Sequence, residues 1–318
     1  MTVADISVAQ PVPAEPTEKC VEPIRLEDRL LPTLIVESTA TRWIWFGVAV
    51  IVCAMYGYVL ARLWVPADGG VDQNAYLVGG RMIAQHFSTR LDMPNPYAFI
   101  GGMFDKSAKG DFFYPKYPFG LPLLYAMCIW IFGASKGVVA AFAVSPICAV
   151  LAVLGTYCLA RLAAGSFAAV CAAILLATSQ VTLLLANNPN SHASCLAFIV
   201  WGMYALVKWW QTGKMWVGIL GGFLLGYAAL IRYSEGLLVL PIAVACASRV
   251  RWSDWRSWLR CAAPGLAWAL PILLLLIYNK CTLGDWTGYD ANNESEFGSA
   301  FTWVKFQATW EEMLRTLH

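Results

Sequence analysis

Two ionisable side chains lie beside apolar runs in the first part of the chain. Asp72 is in the segment VDQNAYLVGGRMIAQH, after an apolar run that ends near Trp64, and Lys116 comes just before the apolar run that starts at Phe119. A partly desolvated aspartate becomes more basic, so at a membrane surface it can remove a proton from a hydroxyl group. A lysine held between tyrosines and prolines can bind a phosphate at the depth of lipid headgroups. These residues therefore predict a general base and a phosphate-binding cation at the boundary of a bilayer.

Each of these two residues also has a purely structural interpretation. Asp72 precedes Tyr76, Ile83 and Phe87, which recur at helical spacing, so Asp72 can be an N-cap that accepts backbone N–H bonds. Lys116 can be a lysine whose stem packs beside a membrane helix while its ammonium reaches the interface. The sequence leaves both alternatives open.

A second set of polar residues interrupts apolar runs later in the chain. Arg232 and Glu235 break the run GFLLGYAALIRYSEGLLVLP, where they are spaced to pair at i,i+3. Ionisable groups between two short spans indicate a functional site in a membrane protein. Asn190 and His192 lie in the polar connection NNPNSH, for which a helix cap at Asn190 is the alternative interpretation. His192 has no partner at metal-ligand spacing, so no metal is expected.

Three tyrosines complete the predicted substrate pocket. Tyr76 follows Asp72 by four residues, Tyr117 follows Lys116, and Tyr289 lies in the loop segment GDWTGYD. Glycines and aromatic rings of this kind can shape a pocket of the size of a sugar, and a re-entrant loop is the alternative for the last segment.

Composition defines the elements that must position these residues. The chain of 318 residues is 59% hydrophobic and 13% charged, with a mean hydropathy of +0.58, whereas soluble domains are roughly 45–50% apolar and about 25% charged. This predicts an all-α, polytopic transmembrane helical bundle. The net charge of +2 gives no reason to expect a nucleic-acid partner, and most of the ten cysteines lie inside apolar runs and form no CxxC motif.

Three regions are predicted. Residues 1–42 are rich in proline and charge and form a flexible cytoplasmic tail. Residues 43–278 form the transmembrane domain, with an external loop at 66–118, and residues 279–318 are an external loop or the start of a further C-terminal region. The predicted full or nearly full spans are Trp43–Val65, Val138–Ala160, Phe167–Ala186, Ala193–Val207, Trp216–Ile231, Leu237–Ala247 and Cys261–Tyr278.

The short run Phe119–Phe132 decides the topology. It is too short to cross a ~30 Å hydrocarbon core easily, and so it is predicted to be a re-entrant or interfacial helix. If it turns back, four arginines lie with the N-terminal tail on the cytoplasmic side, as the positive-inside rule prefers: Arg249, Arg251, Arg256 and Arg260. If it spans fully, they lie on the far side with Asp72. We prefer the first arrangement, which brings all the polar clusters to one external face.

The order of short motifs resembles a known family. DQNAY at Asp72–Tyr76 is followed by YPFGLPL at Tyr117–Leu123, then by GFLLGYAALIR at Gly222–Arg232 and by a Tyr-Asn…Gly…Gly-Tyr loop at Tyr278–Tyr289. Together they resemble the polytopic GT-C glycosyltransferases of the protein-mannosyltransferase and aminoarabinose-transferase type, especially the bacterial RgtA/B/C/D-like group. The resemblance covers roughly residues 43–310.

The resemblance implies an inverting glycosyltransferase that moves a sugar from a polyprenyl-phosphate donor to a hydroxyl of a glycan, lipid or protein. It places the catalytic aspartate in the first external loop, at Asp72, and implies no cofactor beyond the lipid-linked donor. Lys116 and Arg232 would bind the donor phosphate, and the location would be the inner membrane of a bacterium. Members of the family usually have Asp-Glu where this chain has Asp72-Gln73, and usually continue for several more spans.

Two other classes remain as alternatives. A transporter or flippase-like protein would use Asp72, Arg232 and Glu235 as intramembrane contacts for a substrate or ion. The second alternative is a truncated, inactive membrane scaffold.

Overall fold

The computed structural model describes residues 37–67, 70–92, 103–107 and 112–282, with isolated positions at 284, 286, 307, 310, 311 and 315. In these residues the chain forms ten α-helices, one 3₁₀ helix and a small sheet. The α-helices are α1 (Thr39–Leu63), α2 (Val71–His86), α3 (Gly120–Phe132), α4 (Ala134–Phe142), α5 (Val144–Thr178), α6 (Gln180–Ala186), α7 (Ser191–Thr212), α8 (Met215–Ile231), α9 (Val239–Arg249) and α10 (Trp255–Thr282). The 3₁₀ helix is Tyr233–Leu238.

Four of these helices, α1, α5, α7 and α10, are long and apolar enough to cross a membrane. Their surfaces carry many exposed large apolar side chains, as expected for helices that face lipid. The chain is therefore an integral membrane protein, and the predicted all-α polytopic bundle is confirmed. The predicted tail extended to residue 42, but α1 already starts at Thr39, because the Ser38 hydroxyl caps it by accepting from the Thr41 N–H at 3.1 Å.

Helix α5 contains a reversal of the chain. Gly165 has φ 82° and ψ 174°, a conformation open to glycine but rarely to other residues, and it lies inside the 35-residue α5. Ser166 then binds Glu37 at the start of α1, while Ser145 at the start of α5 donates to the Asn190 carbonyl at 3.4 Å. We call the parts of α5 before and after Gly165 its two arms. Since Ser145 and Asn190 are in contact at the other end of the bundle, the two arms run in opposite directions. This agrees with the predicted separation between Ala160 and Phe167, but the predicted span Phe167–Ala186 is interrupted at Ser179, where α5 ends and the Ser179 hydroxyl caps α6.

Helices α3 and α4 form a hairpin that enters and leaves the bundle at the same end. Gly133, with φ 80°, breaks the apolar run between them, and a Cβ at Gly137 would lie 2.4 Å from the Ile129 Cα. Close contact of residues four positions on either side of Gly133 indicates two antiparallel helices. The 13 residues of α3 reach only about 20 Å at 1.5 Å per residue. The Trp64 indole, at the end of α1, donates to the Phe142 carbonyl at 3.2 Å.

The span predicted at Val138–Ala160 therefore begins later, at Val144, because residues 134–142 belong to this hairpin. Hydrophobicity alone could not separate α4 from α5, since both are apolar. The hairpin supports the arrangement in which Phe119–Phe132 turns back.

The segment predicted as a span at Leu237–Ala247 has a mixed structure. It lies in the 3₁₀ helix and the 11-residue α9, which together extend about 28 Å at 2.0 and 1.5 Å per residue. Arg249 at its end donates to the Trp209 carbonyl at 3.2 Å, near the end of α7. The segment therefore crosses the bundle in two pieces.

Close backbone contact holds α8 against α10. A Cβ at Gly222 would lie 2.0 Å from the Pro264 carbonyl oxygen, and one at Gly226 would lie 2.3 Å from the Trp268 carbonyl oxygen. Small residues at this spacing let two membrane helices approach each other closely. Because contacts advance together along both helices, α8 and α10 run in the same direction and end at the same face.

A three-stranded antiparallel sheet lies between α2 and α3 in the sequence, with strand order β1 (Leu91–Asp92), β3 (Phe112–Pro115) and β2 (Phe104–Lys106). Leu91 pairs with Phe113, and Phe104 pairs with Pro115. Tyr76, Ile83 and Phe87 recur at helical spacing, but Phe87 is not part of the buried core. Helix α2 ends at His86, and Phe87 is left-handed with φ 54° and 82% exposed.

Candidate active site

Asp72 is the second residue of α2. Gly70 is the N-cap of this helix, so the interpretation of Asp72 itself as the N-cap is wrong by position. The carboxamide of Gln73 folds back over Gly70, where an added Cβ would lie 1.6 Å from the Gln73 Oε1. Asp72 therefore lies in the first turn of α2. The side chain of Asp72 is outside the described residues.

One helical turn after Asp72, α2 contributes a tyrosine to an aromatic stack. The rings of Tyr76 and Tyr117 are stacked with centroids 4.5 Å apart, and Tyr76 is buried. The Tyr117 hydroxyl donates to the Met103 sulfur at 3.2 Å, and the Lys116 N–H donates to the Met103 carbonyl at 3.0 Å. The segment that carries Asp72 and the segment that carries Lys116 are therefore in direct contact through Tyr76 and Tyr117.

The start of α3 connects this stack with the end of α8. A Cβ at Gly120 would lie 2.5 Å from the Leu230 carbonyl oxygen, so the two backbones are in direct contact there. The Tyr227 hydroxyl also donates to the Gly120 carbonyl at 2.9 Å. Tyr76 and Ile231 belong to one apolar cluster, against which Tyr117 packs. Arg232 follows directly after this contact, and so the two predicted groups of residues lie at the same end of the bundle.

Arg232 is the centre of a polar group that we call the arginine cluster: Ser191, His192, Arg232 and Glu235. The Arg232 Nη1 lies 2.8 Å from the His192 Nδ1 and 3.5 Å from the Ser191 Oγ. The Arg232 Nε lies 3.8 Å from the Glu235 Oε1, so the predicted i,i+3 contact is present. About a third of the Arg232 side chain remains exposed, which leaves guanidinium surface for a ligand.

Asn190 caps the helix that carries Ser191 and His192 of this cluster. Its side-chain oxygen accepts from the His192 N–H at 3.0 Å and caps α7, and only 8% of the residue is exposed. This is the helix-cap alternative, and it fixes the backbone of His192 at the start of α7.

A cavity of about 370 Å³ opens beside the arginine cluster. His192, Arg232 and Glu235 supply its polar wall, and the remaining lining is mostly apolar. This volume is within the range of small-molecule sites, which are typically apolar with a few placed polar groups. A larger cavity of about 420 Å³ between α1 and α5 has an apolar lining with no charged side chain, and so it offers no comparable chemistry.

Two polar residues at this end, Asn187 and Asn279, lie in motifs noted in the sequence but are not among the predicted site residues. Asn187 carries a buried Oδ1 that accepts no hydrogen bond within the described part of the chain, and it lies in the same connection as His192. Asn279 is 1% exposed, and its Nδ2 donates to the Tyr233 hydroxyl at 3.4 Å and to the Trp286 carbonyl at 3.3 Å. In the sequence, the signal that could have identified Asn279 is an amide side chain at the end of an apolar run.

The loop at 278–289 joins the site only in part. The rings of Tyr278 and Phe119 are in tilted contact with centroids 4.6 Å apart, and the Tyr278 hydroxyl forms a hydrogen bond with the Thr89 hydroxyl. Tyr289 lies outside the described residues. Among the described residues, no three His, Cys, Asp or Glu side chains are grouped so that they could hold a metal ion.

Two solved structures are similar in fold to this chain. The apo oligosaccharyltransferase of Archaeoglobus fulgidus matches with a TM-score of 0.53 and 21% identity, over 76% of this chain and 30% of that chain. A second structure, the oligosaccharyltransferase AglB of the same organism in complex with an inhibitory peptide and a dolichol-phosphate, has a TM-score of 0.49 and 18% identity, over 88% of this chain and 37% of that one. The chain therefore shares the membrane fold of the first of these structures, and it spans about a third of the length of both.

Residues 116–278 match the dolichyl-phosphate-mannose-protein mannosyltransferase family, which is about half of the chain. The chain belongs to this family. The matched part begins at Lys116 and includes the whole arginine cluster, whereas Asp72 and Tyr289 lie outside it. No curated protein sequence matches the chain.

Proposed function

We propose that the protein is a membrane glycosyltransferase that moves a sugar from a polyprenyl-phosphate-sugar donor to a hydroxyl group of a glycan, lipid or protein acceptor. The observation that carries the proposal is the arginine cluster and its cavity, inside the family match and at the same end of the bundle as α2. A lipid phosphate needs fixed positive charge at headgroup depth, and Arg232 supplies it.

In the proposed reaction, Asp72 accepts the proton of the acceptor hydroxyl while that oxygen attacks C1 of the sugar. The bond between C1 and the phosphate oxygen breaks, and the electron pair leaves with the polyprenyl phosphate. Attack from the side opposite the phosphate inverts the configuration at C1. Because the phosphate is already a competent leaving group, one base is enough, and no second carboxylate is needed to protonate the departing oxygen.

The residues at this end of the bundle have separate roles in this proposal. Arg232, held by His192 and Glu235, and Lys116 stabilise the charge that develops on the departing phosphate. Tyr76 and Tyr117 form an aromatic wall near Asp72. No metal or organic cofactor enters the scheme; the lipid-linked sugar is the donor substrate.

The proposed side of the membrane is the external one. Arg249 reaches the end of α7 that is opposite Asn190, and Arg251, Arg256 and Arg260 follow it closely in sequence. The positive-inside rule assigns that end to the cytoplasm, so the arginine cluster faces outward. A bacterial inner membrane suits this arrangement.

The test is transfer of radiolabelled sugar from a polyprenyl-phosphate donor to an extractable acceptor by the purified protein. Asp72→Asn should lower the rate about 10²–10⁴-fold, the usual contribution of a general base, because an amide cannot accept a proton at neutral pH. Donor binding should persist in this variant. Asp92→Asn is the matched control, since Asp92 is an exposed partner of Arg90 and should keep the wild-type rate.

A wild-type rate in Asp72→Asn would remove the base from the scheme. Binding of the donor with no transfer by the wild-type protein, and movement of the donor across the bilayer instead, would favour a flippase-like transporter.

A further inference from the structure

A second polar cavity lies at the opposite end of the bundle from the arginine cluster. It has a volume of about 230 Å³ and lies where α1, α5 and α7 meet. Its charged lining consists of one carboxylate and three cations: Glu37, Arg42, Arg161 and Lys208. Gln211 and the backbone around Gly165 complete it. The charged lining therefore has an excess of two positive charges.

Each of the three cations lies about one turn from the end of its helical arm. Arg42 is in the first turn of α1, Arg161 is one turn before the reversal at Gly165, and Lys208 is one turn before the end of α7. Because a helical turn rises about 5.4 Å, these groups lie near the depth of lipid headgroups when the helices span the bilayer.

The Glu37 carboxylate has hydrogen-bond partners within the protein. Its carboxylate accepts from the Ser166 N–H at 2.7 Å and from the Ser166 hydroxyl, and Ser166 is fully buried. The carboxylate thus caps the second arm of α5. The Arg161 guanidinium lies 6.0 Å from the centroid of the Tyr157 ring, which helps to hold it in place.

An apolar cavity adjoins this polar one. It has a volume of about 380 Å³ and is lined by Thr39, Arg42, Trp43, Phe46 and Arg161. Arg42 and Arg161 therefore line both cavities, with charge on one side and the faces of Trp43 and Phe46 on the other. Trp43 is 68% exposed, at the side where lipid chains would lie.

We propose that the two cavities together form a binding site for one anionic phospholipid. The phosphate binds between Arg42, Arg161 and Lys208, and an acyl chain lies along Trp43 and Phe46. A soluble anion would use the polar cavity alone, whereas a lipid accounts for both cavities and for their depth. Anionic lipids are common in cytoplasmic leaflets, which is the side where the positive-inside rule places this site.

The lipid would join three helices that otherwise meet at this end through few polar contacts of the described residues. Binding should therefore stabilise the folded protein by mass action. The site is remote from the arginine cluster, and the proposal stands independently of the glycosyl-transfer reaction.

The experiment measures thermal unfolding and lipid binding of the full chain in nanodiscs. Discs of phosphatidylcholine alone are compared with discs that also contain phosphatidylglycerol, and native mass spectrometry counts retained lipid. Phosphatidylglycerol should raise the midpoint of the wild-type protein. The double variant Arg42→Gln/Arg161→Gln should bind it about 30-fold more weakly, because each cation near an anionic headgroup contributes about 1 kcal/mol. Arg251→Gln, an exposed arginine outside both cavities, should behave as wild type.

Glu37→Gln gives a test in the opposite direction, since it removes the negative charge from the cavity and should strengthen binding. It also decides the matter if the double variant does not fold. An equal rise of the midpoint in the wild type and the double variant would overturn the proposal. So would an equal rise with inorganic phosphate in phosphatidylcholine discs, which would indicate an ion site, or no rise at all in the wild type.

Discussion

Gly222→Ala tests whether the contact between α8 and α10 holds the candidate site together. The added methyl would lie 2.0 Å from the Pro264 carbonyl oxygen, whereas real Cβ contacts essentially never fall below 3.0 Å. Both atoms are tied to backbone, so no side-chain rotation relieves the clash and the helices must separate by about 1 Å. Overpacking of this kind costs about 3 kcal/mol at the upper end of its usual range. The better helix propensity of alanine returns about 1 kcal/mol, so the expected net loss is about 2 kcal/mol.

Gly265→Ala is the matched control for this change. Gly265 is in α10, next to Pro264, and nothing lies within 4 Å of the position of its Cβ. This variant should gain up to about 1 kcal/mol from helix propensity alone. The two alanine variants should therefore differ by about 3 kcal/mol, or about 100-fold in the unfolding equilibrium.

The assay is reversible unfolding in mixed detergent micelles, followed by tryptophan fluorescence, with transfer rate as a second measurement. Gly222→Ala should also lower the transfer rate, because α8 ends directly before Arg232 and α10 carries Asn279, which donates to the Tyr233 hydroxyl. Equal stability of the two variants would refute the packing argument and show that α8 and α10 are separable there.

Three other expectations concern charged positions. Lys116→Met should weaken binding of the lipid donor by about 2–3 kcal/mol, the scale of a charge-assisted hydrogen bond, without loss of folding; an unchanged donor affinity in calorimetry would assign the phosphate to Arg232 alone. Reporter fusions after Ser257 should read cytoplasmic and fusions after Gly110 external, and an external signal at Ser257 would reverse the proposed topology. Hydrogen bonds from the hydroxyl and N–H of Ser166, aided by Arg42 and Arg161, hold the pKa of Glu37 below its ordinary 4.5. A depressed pKa stabilises the fold above pH 4.5 and loses this effect as the pH falls below it, so the difference in melting temperature between the wild type and Glu37→Gln should shrink in acid.

Hydrophobic runs predicted most of the architecture because a membrane span must be apolar along its whole length. They located α1, the two arms of α5, α7, α8 and α10. They could not separate α4 from α5, since both helices are apolar and the break between them is the single apolar residue Ala143. Phe87 recurs at helical spacing with Tyr76 and Ile83, but periodicity does not mark the end of the helix at His86, after which the left-handed Phe87 is exposed.

The candidate site was predictable only where its residues are close in sequence. The contact of Arg232 with Glu235 follows from their spacing along one segment. The contact of Arg232 with His192 joins residues 40 positions apart. It depends on α7 and α8 being antiparallel neighbours, which spacing alone does not give. Asn190 was open to two interpretations because the same amide can cap a helix or line a pocket, and only its bond to the His192 N–H distinguishes them.

The positions of irregular backbone give an independent reason to place the active site beside Arg232. Backbone that is not helical is tolerated at membrane depth only where protein buries it or where it lines a cavity. At this end of the bundle, Arg232 is extended with φ −142° and ψ 125°, Glu235 lies in a 3₁₀ helix, and residues 187–190 form a bend. Arg232, Glu235 and His192, which follows that bend, line the same 370 Å³ cavity. Two helix interruptions, at residues 187–190 and 232–238, therefore converge on one cavity at the same end of the bundle as α2, and this supports the proposal that they present polar groups to a substrate.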